Sequence, residues 1–275
     1  MAISRADIEA ELGSCEEAER IGSESGSGEC WRVVRGCTVL ACKVVVKGVE
    51  PERFEREVEA LQRITSPRVV RVVGRGELTT ASDGQAHPYL LSDFLHGGDV
   101  RHNLAAIGQP SDAQLRAFLA GTLEGLEALH AANVVHRDLK PENVVLLGGD
   151  WAAPVIIDLG LSRLVDLSSV TLYPWVGGTW PYMAPEQLRA ERAMDRTDLW
   201  ALAVITGELA AGEHPFRRGE TSPPVDWDAR LQTGIMVLGS RPAGLRDWVQ
   251  AVGDYAAYRR PTATRARELL DAVWP

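Results

Sequence analysis

The chain has 275 residues, with 38 Asp and Glu against 29 Lys and Arg, a formal charge of −9 and a pI near 5.3. That length suffices for one large domain or two lobes with a proper core, and the acidic balance argues against a nucleic-acid binder, which carries a basic footprint. No stretch approaches the apolar run of a membrane helix, the opening MAISRADIEAELGS is too polar and acidic for a signal peptide, and Cys15, Cys30, Cys37 and Cys42 fit no zinc spacing. The expectation is a cytoplasmic protein with reduced thiols, no nucleic-acid partner and no membrane anchor.

Residues 4–20 read as a short amphipathic helix with Ser4 as its N-cap, and its acids mark it as a solvated extension. The serine- and glycine-rich turn SESGSG follows, then WRVVRGCTVLACKVVVKG, two β-rich runs about Gly36 that signal a hairpin. PERFEREVEALQRI carries Phe54, Val58, Leu61 and Ile64 at helical spacing, with Pro51 near its start. RVVRVVGRGEL and HPYLLSDFL read as two further strands. After Gly97–Asp99 the character changes to helices: SDAQLRAFLAGTLEGLEALHAANV capped at Ser111, DLWALAVITGELAAG, apolar nearly all round and so buried, then RPAGLRDWVQAVG and PTATRARELLDAV. The fold class expected is α+β and bilobal. Residues 1–20 form the extension, 21–95 a small β-rich lobe with one main helix, and 96–275 a larger helical lobe, with a connector around Leu95 to Gly98. Clefts between lobes are the usual place for a small ligand.

One loop concentrates the chemistry. VVHRDLKPENVVL, residues 134–146, sets a crowd of charge between two apolar, strand-like Val pairs. Asp138 and Asn143 stand as D-x-x-x-x-N, and further on IIDLG places Asp158 after an apolar strand. An acid, an amide and a second acid suit Mg²⁺, a hard ion that takes oxygen ligands and shares them with substrate phosphates. Lys43 ends LACK within a strand, and Glu57 lies mid-helix where it can pair with Lys43.

These motifs, in this order from about Ile21 to Leu270, resemble the eukaryotic-like serine/threonine protein kinases, whose phosphoryl-transfer template supplies the roles that follow. The resemblance implies the bilobal protein-kinase-like fold and an enzyme that moves the γ-phosphate of ATP, with Mg²⁺ or Mn²⁺, onto Ser or Thr hydroxyls of protein substrates, the chain itself among the candidates. By that resemblance Asp138 accepts the proton of the substrate hydroxyl, Lys140 steadies the γ-phosphate, Lys43 holds the α- and β-phosphates and Glu57 orients it. Asn143 and Asp158 bind the metal. Ala41, Cys30 and Val145 lie against adenine, Asp93 and Leu95 bond it through their backbone, and Asp99 falls where ribose is bonded. GTWPYMAPE, residues 178–186, resembles the end of an activation loop, in which Thr179 bonds Asp138 and Lys140. Glu186 pairs with Arg260, Asp198 ties the catalytic loop to the buried helix, and His136 serves packing.

The pattern departs from the family in places. IGSESGSGEC offers Gly22, Gly26 and Gly28, and no register places all three at the G-x-G-x-x-G spacing; a register ending at Gly28 leaves Ser23 and Ser25 at the other two sites, with less φ freedom than glycine. DLG replaces DFG, a mild swap that lets Leu159 pack with Leu61 and His136, and Trp180-Pro181 is bulkier than the usual pair after the Thr. Ser92 occupies the gatekeeper position and opens space behind adenine. Arg137 can meet a phosphate on Ser168, Ser169 or Thr171, and the alternative is a loop ordered by Leu167, Val170, Leu172 and Trp175. Two rival readings stay open: a pseudokinase binding module and a small-molecule kinase of the same fold.

Overall fold

Strand alternation in the first third and helical periodicity in the rest are both realised in the computed structural model, which describes residues 3–25, 28–45, 51–158, 180–235 and 241–274. Of residues 23–25, Pro51 and Arg53 only the backbone is described. The described residues divide into two compact units, one drawn from residues up to 65 and from 70 to 94, the other from residues 66–69 and from 95 onward.

The first unit holds β1 (Glu17–Ser25), β2 (Gly28–Arg35), β3 (Thr38–Val45), β4 (Val72–Thr79) and β5 (Ala86–Asp93). They form a five-stranded sheet in the order β1-β2-β3-β5-β4, each neighbouring pair antiparallel. Successive side chains on a strand point to opposite faces, so the register sorts them. Trp31 stands opposite Cys42, and Cys42 opposite Leu91. Together with Val33, Val44, Leu78 and Tyr89 these residues make an apolar face.

Helix α1 (Arg5–Leu12) covers that face. Its Ile8 and Leu12, with Ile3 and Cys15 beside it, are buried in the same cluster as Cys42 and Val44. The helix expected over residues 4–20 is therefore confined to Arg5–Leu12, it is docked rather than solvated, and residues from Glu17 belong to a strand. Burying side chains of this size contributes about 1.5–3 kcal/mol each, which outweighs the modest helix preference of so short a segment. Ser4 caps the helix as foreseen, in a reciprocal box with Asp7. Helix α2 (Pro51–Gln62) turns Phe54, Val58 and Leu61 inward and packs on β4 and β5.

The second unit contains α3 (Val100–Ile107), α4 (Asp112–Ala131), a β6 (Val144–Leu146) and β7 (Pro154–Ile156) hairpin, α5 (Pro185–Leu188), α6 (Asp195–Ala211), α7 (Trp227–Gln232), α8 (Ala243–Val252) and α9 (Ala263–Val273). Helix α6 is buried along its whole length from Thr197 to Ala210, as its all-round apolar sequence requires. Helix α4 packs against α9, α6 and β7, leaving the chain that follows it to run between α6 and the hairpin as irregular backbone. Val134 and Val135, read as strand-like, lie outside any strand; Val144–Leu146 is paired with β7. Among the described residues no helix is long and apolar enough to cross a membrane.

Candidate active site

The loop between α4 and β6 is held from within. Asn143 donates through Nδ2 to the Asp138 carbonyl at 2.7 Å and to Asp138 Oδ2 at 3.3 Å. Lys140 Nζ stands 3.3 Å from the same Oδ2. Both ends of the loop are tied to Ile157, the residue after β7: its N–H donates to the Asn143 carbonyl at 2.9 Å, and His136 Nε2 lies 2.9 Å from its carbonyl. The other ring nitrogen of His136, Nδ1, accepts the Asp138 N–H at 3.3 Å. Those two partners select the neutral Nε2–H form, since a carbonyl only accepts and an N–H only donates. His136 is fully buried, so it serves as a bracket, in line with the packing role expected of it.

Asp158 follows directly on Ile157 and takes φ +58°, the left-handed region that Asp enters more readily than most residues. The amide of Asn143 spends its nitrogen on Asp138, which leaves its oxygen as the atom that could bind a cation. An amide oxygen and a carboxylate, both hard donors, suit a Mg²⁺-type ion, so the chemistry of this donor set fits the metal that the motifs imply.

Asp198, on α6, anchors the loop from below. Its Oδ1 accepts the Arg137 N–H at 2.8 Å, and its Oδ2 accepts the His136 N–H at 2.9 Å while lying 2.8 Å from His130 Nε2. Burial pushes this carboxyl upward, but the bond and charge of His130 and the main-chain N–H of His136 outweigh it, holding Asp198 below the usual carboxylate value. The tie expected of Asp198 is thus present, and His130, in the last turn of α4, joins it.

Segment 95–99 borders the hairpin. Leu146 donates to the Gly98 carbonyl at 2.9 Å and Gly148 to the His96 carbonyl at 3.0 Å. Gly97 has φ +130°, and a Cβ there would lie 2.0 Å from the Leu146 carbonyl oxygen, so only glycine allows this approach. Asp99 caps α3 by accepting the His102 N–H at 2.7 Å, and bridges Val145, which is buried. Leu95, at the head of this segment, is partly buried.

In the first unit the register gathers four expected residues on one face of the sheet. Cys30 stands opposite Lys43, and Ala41 opposite Ser92; directly paired residues share a face. Burial raises the Cys30 thiol, with the Lys43 charge acting against it, and burial raises Cys42 on the other face still further, so neither is poised as a thiolate. Glu57 lies partly buried on α2. Asp93 closes β5 and binds Arg71 through both carboxylate oxygens at 2.9 Å, while its N–H donates to the Arg71 carbonyl. Gly22 lies in β1 at φ +76°. Gly28 opens β2 where a Cβ would meet the Val44 carbonyl oxygen at 2.2 Å, so close strand approach explains this glycine. Gly26 and the segment 159–179, with Leu159, Leu167, Ser168, Ser169, Val170, Thr171, Leu172, Trp175 and Thr179, lie outside the described residues.

Beyond that segment, Glu186 and Arg260 form the expected pair through two bonds of 2.7 and 2.9 Å, both side chains buried. Thr197 donates to Glu186 at 2.9 Å, and the Arg260 guanidinium lies over the Trp200 ring, 5.1 Å from its centroid. Trp180 is buried edge-on against Trp227 at 4.6 Å between centroids, so its bulk fills the interior of the unit. Sequence reasoning missed Arg101, which binds Glu142 at 3.0 Å and Glu208 at 2.6 Å and also reaches the Tyr182 hydroxyl. It also missed Gln187, whose signal was only its place directly after Ala184-Pro185-Glu186.

The protein kinase domain profile matches residues 16–269. The probable serine/threonine-protein kinase PkwA of Thermomonospora curvata is 31% identical over 252 residues, which are 88% of this chain and 32% of that protein. Serine/threonine-protein kinase PknL of Mycobacterium tuberculosis is 35% identical over 164 residues, 60% of this chain and 39% of the relative. The probable serine/threonine-protein kinase PknB of Bifidobacterium longum is 30% identical over 169 residues, 60% of this chain and 24% of the relative. The chain thus spans between about a quarter and two fifths of the length of these relatives.

Proposed function

Because the chain belongs to the protein kinase family, we propose that it transfers the γ-phosphate of ATP to Ser or Thr hydroxyls of protein substrates. The observation that carries this reading is the fixed geometry about Asp138, whose carboxylate is held by Asn143 and faced by Lys140. In the proposed step the substrate hydroxyl gives its proton to Asp138, its oxygen bonds the γ-phosphorus, and the bond to the β,γ-bridging oxygen breaks, releasing ADP. A divalent ion held by Asn143 and Asp158 would neutralise phosphate charge. Placement and charge carry such a reaction, because the protein contributes no covalent chemistry.

Lys43 takes the α- and β-phosphates with Glu57 as its orienting partner, and Lys140 and Thr179 attend the acceptor. Cys30, Ala41 and Val145 receive adenine, the backbones of Asp93 and Leu95 bond its edge, Asp99 meets ribose, and Gly22, Gly26 and Gly28 shape the cover over the phosphates. The Asp93 N–H is already given to Arg71, so its carbonyl is the atom this role requires. Asp99 already caps α3 through Oδ1, so a ribose hydroxyl shares its carboxylate with the helix.

The test is transfer of labelled phosphate from ATP to a generic basic protein, with Mg²⁺ and with Mn²⁺. Wild type labels the substrate, and Asp138→Asn and Lys43→Ala fall by at least about a hundredfold, each tenfold corresponding to about 1.4 kcal/mol. A wild type no more active than Asp138→Asn with either metal overturns the reading and leaves a nucleotide-binding scaffold. A panel of hydroxylated metabolites run beside the protein substrate separates the small-molecule alternative.

A further inference from the structure

Arg137 has φ +64°, a left-handed conformation for a residue with a Cβ. Such a residue persists only where its surroundings over-determine it. Asp198 holds its N–H at 2.8 Å. Its carbonyl, the leading half of the peptide group that carries Asp138, accepts from Gln187 Nε2 at 2.8 Å. The trailing half of that same peptide, the Asp138 N–H, donates to His136 Nδ1. The plane from which the Asp138 side chain departs is therefore fixed at both ends.

Gln187 is itself bonded at both polar atoms of its side chain. It is 2% exposed, lies in α5, and its Oε1 accepts the Ala184 N–H at 3.0 Å. The partners fix the amide orientation, because the Arg137 carbonyl needs a donor and the Ala184 N–H needs an acceptor. A side chain at this position must therefore offer both, at this length. Asn is too short, Glu supplies only acceptors when ionised, and Met supplies neither.

We propose that Gln187 is a positioning residue for phosphoryl transfer: it fixes the Arg137–Asp138 peptide and couples it to the chain segment that begins at Trp180. The proposal rests on the reading of Asp138 as the group that receives the hydroxyl proton. It assigns to Gln187 the direction of that carboxylate, and to the bonds at Ala184 and Arg137 the route by which segment 180–188 bears on it.

Gln187→Glu and Gln187→Met test the idea by steady-state kinetics from about pH 5.5 to about pH 8.5, with thermal unfolding followed at each pH. An ionised carboxylate keeps the Ala184 bond but turns a lone pair on the Arg137 carbonyl. Protonated, it regains a donor. Gln187→Glu is expected to lose roughly 10- to 100-fold in kcat at high pH, as small misplacements of a reacting group do. Its KM for ATP should stay within about twofold, and its rate relative to wild type should recover several-fold as pH falls. Gln187→Met should show a similar loss that does not depend on pH. The role is overturned by wild-type kcat in both variants, by a Gln187→Glu deficit that stays flat with pH, or by a rise in KM for ATP at unchanged kcat. Should Gln187→Met fail to fold, the pH profile of Gln187→Glu decides alone. An inactive wild type, by contrast, overturns the reading of Asp138, so the two failures are distinguishable.

Discussion

Asp7 Oδ1 accepts the backbone N–H of Ala81 at 2.8 Å, joining the N-terminal helix to the turn between β4 and β5 across a separation of 74 residues. The other oxygen of Asp7 receives the Ser4 N–H at 2.8 Å and the Ser4 hydroxyl at 2.6 Å. These bonds, led by Ser4, hold the Asp7 carboxyl below its usual range. Tyr89 adds a second tie, donating to Glu11 at 3.0 Å. The polar bonds lock in place a helix whose apolar side closes the sheet behind Cys42 and Val44, the strand neighbours of Lys43.

Asp7→Asn should therefore destabilise the protein. The amide can serve Ala81 with its oxygen, but it then turns N–H groups on the Ser4 donors, at a cost of about 1–3 kcal/mol. Ile8→Ala and Leu12→Ala should each cost about 2–5 kcal/mol. Urea denaturation measures all three. Changes within about 0.5 kcal/mol are what a solvated appendage would give.

How far the sequence reveals this arrangement depends on the range of the interaction. Strands β2, β3 and β5 alternate visibly, and α6 announces its burial by being apolar on every side. Asp138, Lys140 and Asn143 could be read because their spacing is local, and their mutual contacts are present. Strand β1 could not, because Glu17, Glu19 and Arg20 obscure any alternation; it exists because the edge of β2 offers partners from Val34 to Cys30. Helix α1 has few apolar residues, and the sheet face supplies what its own pattern lacks. Arg101, His130 and Gln187 look ordinary in sequence, since their partners lie on other elements: Glu208 for Arg101, Asp198 for His130 and the Arg137 carbonyl for Gln187.

The Glu186–Arg260 pair should behave as a buried unit. Burial pushes the Glu186 carboxyl up, but bonds from Arg260 and Thr197 and the Arg260 charge hold it below its usual value. Arg260→Met and Glu186→Gln should each cost about 3–5 kcal/mol, because each strands a buried group. Glu186→Gln combined with Arg260→Met should cost less than the two single losses together. Because the folded-state value lies below the unfolded one of about 4.3, the stabilisation is full above that pH. It is lost as pH falls through the folded-state value. Denaturant midpoints for wild type and the double variant should accordingly converge in acid.

His214 predicts a second, higher pH window. Its Nδ1 accepts two main-chain N–H groups, from Phe216 at 3.1 Å and Arg217 at 3.0 Å, and its Nε2 lies 3.2 Å from the Pro181 carbonyl. A proton on Nδ1 would face both donors. Burial pushes the imidazole down to about 4. The unfolded chain, with an ordinary value of about 6.5, binds the proton first, so stability is full above that pH and declines as pH falls from there toward about 4. His214→Asn should lower stability at neutral pH, with the gap to wild type narrowing in that window. A gap that stays constant with pH would show that protonation of His214 is not the cause.

Ser92 offers a test of the strand register on the proposed nucleotide side. It pairs with Ala41, whose strand neighbour at two residues is Lys43, so these three side chains share one face of the sheet. Serine is small, so an adenine bound against Ala41, as proposed, would have room behind it that a larger side chain would fill. Inhibitors with large groups directed behind adenine, and N6-substituted ATP analogues, should bind wild type. Ser92→Met adds bulk on the same face and should weaken them by at least roughly tenfold, or about 1.4 kcal/mol, while the KM for ATP changes by no more than about threefold. Competition binding with one bulky and one compact adenine-site ligand reads both effects. Equal affinity of the bulky ligand for wild type and Ser92→Met would place adenine elsewhere than against Ala41, and with it would fall the adenine role given to Cys30.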